Sequence, residues 1–209
     1  MSVVVAIKEK GKIYLGCDSQ VTCGGTRTTL KNPNNYKIWK VQNAKHCLMG
    51  AVGNLRDACL IRTMDNLVTE YNIYKKHICF DFVVNKIVPD IIEKLKYYNY
   101  LKKDGFFDSM NSSYLFAFED QLFLIGMDAS VIEVEDYVAI GSGKNEAIGS
   151  LLSTENEAPE QRIVKAIKAS VANDLYVDYP IILTNTETTD FEIITEKTEE
   201  SFLKKIDSK

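Results

Sequence analysis

Apolar residues recur along the chain with two periods, and the switches between them group its elements into blocks of strands and blocks of helices. A two-residue period of β-branched and aromatic residues runs through Val3 to Ile7 and Ile13 to Cys17, joined by the turn Glu9-Lys10-Gly11-Lys12 as a hairpin. The polar stretch Thr22 to Asn35, rich in Gly, Thr and Asn, reads as a loop ahead of two more strands, Tyr36 to Val41 and Cys47 to Val52. From Asn54 the spacing turns helical, with Leu55, Cys59, Leu60, Met64, Leu67, Val68 and Tyr71 at three-to-four residue intervals. A second helix is predicted over Phe82 to Lys102, bent or restarted at Pro89.

Strand patterns return in pairs at Tyr114 to Phe118, Leu122 to Met127, Val131 to Glu135 and Tyr137 to Ile140. Helices follow at Lys144 to Leu152 and from Pro159 to about Asp174, the second carrying Ile163, Ala166, Ile167 and Val171 on one face. The strands Ile181 to Thr184 and Phe191 to Ile194 close the pattern. Grouped strands and grouped helices, without a βαβ alternation, disfavour a parallel doubly wound sheet. The expected class is α+β, with two antiparallel sheets stacked between helical layers. Residues 1–209 form a single domain, because no repeat, low-complexity run or composition break marks a linker.

Charge and composition then remove several functions. A net charge of −4 from interspersed acids and lysines, with no long basic run, argues against nucleic acid as a ligand. Five cysteines occur with no C-x-x-C pair, and His46 and His77 form no H-x-x-x-H pattern, so neither a disulfide framework, a metal centre nor a cofactor is expected. Free thiols suit a reducing, cytoplasmic compartment, and no signal segment or run of about 18 apolar residues points to export or a membrane.

One position combines a nucleophile with its own base. If Met1 is removed, Ser2 acquires a free α-amine, whose reference pKa of about 7.7–8.0 lets it take the hydroxyl proton near neutrality. The tripeptide Gly141-Ser142-Gly143 is a poor phosphate loop: the following Lys144-Asn145 lacks the Ser or Thr of a Walker motif, and the first glycine is missing at its spacing.

Five segments, in order and at near-family spacing, resemble the proteasome β-type subunits and the peptidase subunit of the bacterial two-component proteasome-like protease. They are Ser2-Val3-Val4-Val5-Ala6-Ile7, Gly16-Cys17-Asp18-Ser19-Gln20-Val21-Thr22, Lys37-Ile38-Trp39-Lys40-Val41, Leu48-Met49-Gly50-Ala51-Val52-Gly53 and Ala139-Ile140-Gly141-Ser142-Gly143. The resemblance implies the four-layer αββα sandwich of N-terminal-nucleophile hydrolases, with Ser2 as nucleophile where the family usually has threonine. Serine keeps the hydroxyl and amine but lacks the β-methyl that restricts χ1.

Further roles follow from the same resemblance. Asp18 is expected to pair with a lysine beneath the nucleophile, Lys37 with Lys40 as the alternative, and that lysine lowers the pKa of hydroxyl and amine. Gly50 is implied as the oxyanion-hole amide and a substrate contact, Thr22 as the backbone partner of an extended substrate, and Ser142 as the proton relay. Asp174 is the expected aspartate of the last active-site motif, but Leu175-Tyr176-Val177-Asp178 departs from the Ser-Gly-Gly continuation of proteasome subunits, which leaves Asp178 open. The implied partners are protein or peptide substrates, further copies in a double ring and a separate ATP-dependent unfoldase. Two alternatives remain: a non-catalytic ring subunit with a blocked Ser2, and a small-amide hydrolase of the same superfamily.

Overall fold

A computed structural model describes residues 2–68, 79–104 and 107–207. The first sheet is built from β1 (Val3–Glu9), β2 (Lys12–Cys17), β12 (Tyr137–Gly141), β13 (Ile181–Asn185) and β14 (Glu192–Ile194), in the order β12-β1-β2-β13-β14. The second contains β5 (Ile38–Lys40), β6 (Cys47–Gly53), β9 (Ser112–Phe118), β10 (Gln121–Ile125) and β11 (Val131–Glu133), in the order β11-β10-β9-β6-β5. All pairings are antiparallel.

Alternation along β1 explains the stacking. Val4 and Ala6 point into an inter-sheet core with Leu15, Ile38, Leu48, Leu115 and Ile182, whereas Val3, Val5 and Ile7 point outward to helices. Those helices are α3 (Lys144–Ser153), α4 (Pro159–Asn173) and α5 (Glu199–Asp207), which cover the first sheet through Ala147, Leu151, Ile163, Val164, Ile167 and Phe202. The second sheet's outer face packs Met49, Phe116 and Phe123 against α1 (Leu55–Arg62) and α2 (Val88–Tyr97). Both faces of each sheet are thus buried, giving four layers, αββα.

Several boundaries differ from the expected ones. The stretch read as a loop from Thr22 contains a hairpin, β3 (Gln20–Cys23) with β4 (Thr26–Thr29), turned at Gly24-Gly25, where φ is +55° and +81°. The helix expected from Asn54 to Tyr71 ends at Arg62, where Thr63 turns its hydroxyl onto the Leu60 carbonyl. Met64, Leu67 and Val68 remain buried beyond it, and Tyr71 lies outside the described residues, as do Met1 and His77.

The next helical segment starts earlier and stops earlier than Phe82 to Lys102. It begins with Phe80–Phe82, widens into a π-helical stretch Val83–Ile87 and regains α geometry at α2, with Pro89 in its first turn. Asn99 at φ +54° ends it, with Asn99 N–H on Lys96 O and Tyr100 N–H on Leu95 O, a Schellman stop. Lys102 falls instead in β7 (Lys102–Asp104), paired with β8 (Phe107–Ser109).

Candidate active site

β1 delivers Ser2 to the end of the sandwich, and the turn after β12 meets it there. Ser2 N–H donates to Ser142 Oγ at 3.0 Å, Ser142 Oγ donates to Ser2 O at 3.3 Å, and Gly143 N–H reaches the same carbonyl at 3.4 Å. Gly141 is required at this corner: its φ is +106°, and a Cβ there would lie 2.1 Å from Ser2 O. Ser170 of α4 fixes the turn from behind by donating to Gly143 O at 2.7 Å.

Beneath Ser2 lies a buried ion pair. β2 ends at Cys17, and Asp18 accepts Val3 N–H at 2.9 Å through Oδ1 and Gln20 N–H at 3.0 Å through Oδ2. Lys37 Nζ donates to Asp18 Oδ1 and to Gln20 O, each at 2.6 Å. The Lys37 side chain is 5% exposed and that of Asp18 0%. Burial pushes the Asp18 carboxyl above the ordinary range, and the Lys37 charge, its hydrogen bond and the two amides pull it back. An ammonium has three donors, so Lys37 keeps one beyond these two acceptors.

Lys37 and Ser2 line one cleft of about 330 Å³, walled by Val21, Thr22 and Cys23 of β3 and by Ala51, Val52, Gly53 and Asn54 across from them. Leu55 and Ala58 of α1 supply apolar lining. Two facing backbone segments with a gap between them suit an extended chain added as a strand. Lys40, the alternative lysine, is exposed and sits 3.9 Å from Asp190, away from Asp18.

Gly50 occupies the middle of β6, opposite Ile38 and Leu115, where a Cβ would come within 2.8 Å of Val4 Cγ1. Val41 N–H bonds Cys47 O and Ala51 N–H bonds Lys37 O. Strand alternation therefore turns the Ala51 amide toward β5 and the Gly50 amide toward β9. Gly50 is absent from the cleft lining, and nothing in this geometry points its amide at the cleft. Asp174 caps α4, accepting Tyr176 N–H on Oδ1 at 2.9 Å, while its buried Oδ2 has no hydrogen-bond partner among the described residues. Asp178 pairs with Arg27 at 3.2 Å and lends its carbonyl to Ser19 N–H.

Sequence reasoning missed Gln20, whose carbonyl holds Lys37 and whose side-chain amide bridges Thr22 Oγ1 and Leu175 O. Among the described residues, no group of three or more His, Cys, Asp or Glu is placed to hold a metal, and no helix is long and apolar enough to cross a membrane.

An αββα sandwich that presents a serine at the start of a strand over a buried Asp-Lys pair defines the N-terminal-nucleophile class. Comparison with known proteins gives the family: the proteasome subunit model matches residues 2–178, and the chain belongs to that family. It is 30% identical over 168 residues to the ATP-dependent protease subunit HslV of Campylobacter concisus (strain 13826), covering 78% of this chain and 85% of that one. HslV of Campylobacter jejuni (strain RM1221) is 27% identical over 170 residues, 79% and 84% of the two chains. Solved structures share the fold as well. Thiobacillus denitrificans BPH in complex with epoxomicin has a TM-score of 0.68 at 19% identity, covering 88% of this chain and 97% of that one. Eukaryotic HslV from Trypanosoma brucei has 0.64 at 16%, covering 88% and 98%.

Proposed function

We propose that this chain is the peptidase subunit of a proteasome-like assembly, using Ser2 as nucleophile once Met1 is removed. The observation that carries the reading is the buried Lys37–Asp18 pair opening onto the same cleft as Ser2. Ser2 Oγ attacks a peptide carbonyl while the Ser2 α-amine takes its proton, and the Lys37 ammonium favours the alkoxide by its charge. The amine returns the proton to the leaving nitrogen, and water then releases the acyl group. Ser142 holds and relays through the amine, Asp174 supports that relay, and Thr22 with the β6 rim pairs the substrate backbone. A backbone amide of the β6 rim that lines the cleft serves the oxyanion, because Gly50 N–H is turned to β9 in the sheet.

The protein is cytoplasmic, and copies of the chain stack in rings around the clefts. Unfolding is supplied by a separate ATPase, since Gly141-Ser142-Gly143-Lys144-Asn145 is no nucleotide loop. Intact mass measurement with and without epoxomicin tests this. Loss of Met1 and one adduct on Ser2, removed by Ser2→Ala, is expected. Quantitative retention of Met1 with no adduct refutes the catalytic reading in favour of a ring subunit without activity.

A further inference from the structure

We propose that Arg62, at the end of α1, is a positioning residue that fixes the backbone of Lys37; the inference rests on the peptidase reading of the site. Leu55, Ala58 and Arg62 recur at helical spacing, and the first two line the cleft. Arg62 continues that face down to the segment Tyr36-Lys37 that leads into β5. Its Nη2 donates to the Tyr36 carbonyl, and its guanidinium carbon lies 5.0 Å from the centroid of Trp39. One group thus holds the residue before Lys37 and the residue two after it.

The consequence is geometric. The Tyr36–Lys37 peptide plane is set by Arg62 on Tyr36 O, and the Lys37–Ile38 plane by Ala51 N–H on Lys37 O at 2.8 Å. With both planes flanking its Cα fixed, the φ and ψ of Lys37 are fixed too. Its four side-chain torsions are then pinned at the far end by Asp18 Oδ1 and Gln20 O. Without Arg62, the Tyr36–Lys37 plane keeps only the weaker contact of Lys37 N–H with the buried Cys17 thiol.

A guanidinium suits this task because it can hydrogen-bond in its plane and stack on an indole face at once, which an ammonium cannot. Its Nε and Nη1 are buried without partners among the described residues, so the carbonyl and the ring are what this half-buried cation has to hold it in place.

The test compares wild type, Arg62→Lys, Arg62→Met and Trp39→Phe, all with Met1 removed. Trace acetic anhydride labels Lys37, read by mass spectrometry against exposed Lys204, and pH profiles of kcat/KM are recorded with a fluorogenic peptide. Loss of one charge-assisted bond predicts Lys37 labelling faster by roughly tenfold in Arg62→Met, with Arg62→Lys failing to restore it. The fall in activity is expected in kcat, with KM within about twofold and the acid limb displaced upward as Lys37 charge leaves the Ser2 amine. A lowered melting temperature with unchanged Lys37 labelling and pH profile overturns the inference. Should Arg62→Met fail to fold, Trp39→Phe and Arg62→Lys carry the same readouts. If wild type hydrolyses nothing, the peptidase reading fails, whereas the labelling still decides what Arg62 does.

Discussion

Lys37→Met separates the chemistry of the ion pair from its contribution to stability. The substitution keeps most of the apolar stem and removes an ammonium 2.6 Å from a carboxylate that is 0% exposed. Breaking a buried pair typically costs about 3–5 kcal/mol because the remaining charge is stranded. Asp18 has an escape in protonation, which its burial already favours. From an unfolded pKa of about 3.9, protonation costs about 4 kcal/mol at pH 7 and about 1.5 at pH 5, which caps the penalty. The carboxyl keeps Val3 and Gln20 N–H in either form, so the cap is realistic. Urea unfolding followed by the fluorescence of Trp39, the sole tryptophan, measures this. The deficit of Lys37→Met should shrink by about 1.5–2.5 kcal/mol from pH 7 to pH 5. Asp18→Asn added to Lys37→Met should recover much of the stability at pH 7 while peptide hydrolysis stays down by about 10²–10⁴-fold or more. A deficit equal at both pH values, or an active Lys37→Met enzyme, refutes the reasoning.

Other outcomes follow from nearby contacts. Ser142→Ala removes the 3.0 Å contact to Ser2 N and should lower kcat about 10–100-fold with the fold intact, as measured by peptide turnover and circular dichroism. Gly16→Ala places a Cβ 2.2 Å from Ile163 Cγ2, forcing α4 off the first sheet at a cost of about 1–3 kcal/mol in urea unfolding. Asp57 is buried in α1, its carboxyl pushed up by desolvation against a weaker pull from Ser112 and Asn111. An acid whose pKa is raised by folding contributes stability below its unfolded pKa and loses it as pH rises through the folded value. Asp57→Asn should therefore gain melting temperature relative to wild type between pH 4 and pH 7, and a constant difference would count against this.

Periodicity made most of the sandwich legible because two-sided burial writes long apolar runs into β1, β2, β6 and β9. Ser2, Asp18, Lys37 and Ser142, which the family resemblance grouped, are near one another in the structure. The β3–β4 hairpin was hidden because Thr26–Thr29 is wholly exposed, although Gly24-Gly25 is the turn signal such hairpins need. Helix α5 was missed for a different reason: nine residues rich in Glu and Lys are marginal alone, and packing of Phe202 on the first sheet's core decides its conformation. Arg62 left no trace in the sequence, since its partners are a backbone carbonyl and a ring brought close only by the fold.

Because Ser2 is closed off by Ser142, 140 residues later, the order of synthesis matters. β1 is made well before β12, and one of its two edges stays open until β12 has emerged from the ribosome. A nascent chain carries Ser2, Asp18 and Lys37 long before it has the turn that seats the amine. On the proposed mechanism, hydrolytic competence arrives as a late step of folding, and the connection from β1 to β12 acts as a built-in delay between translation and proteolysis.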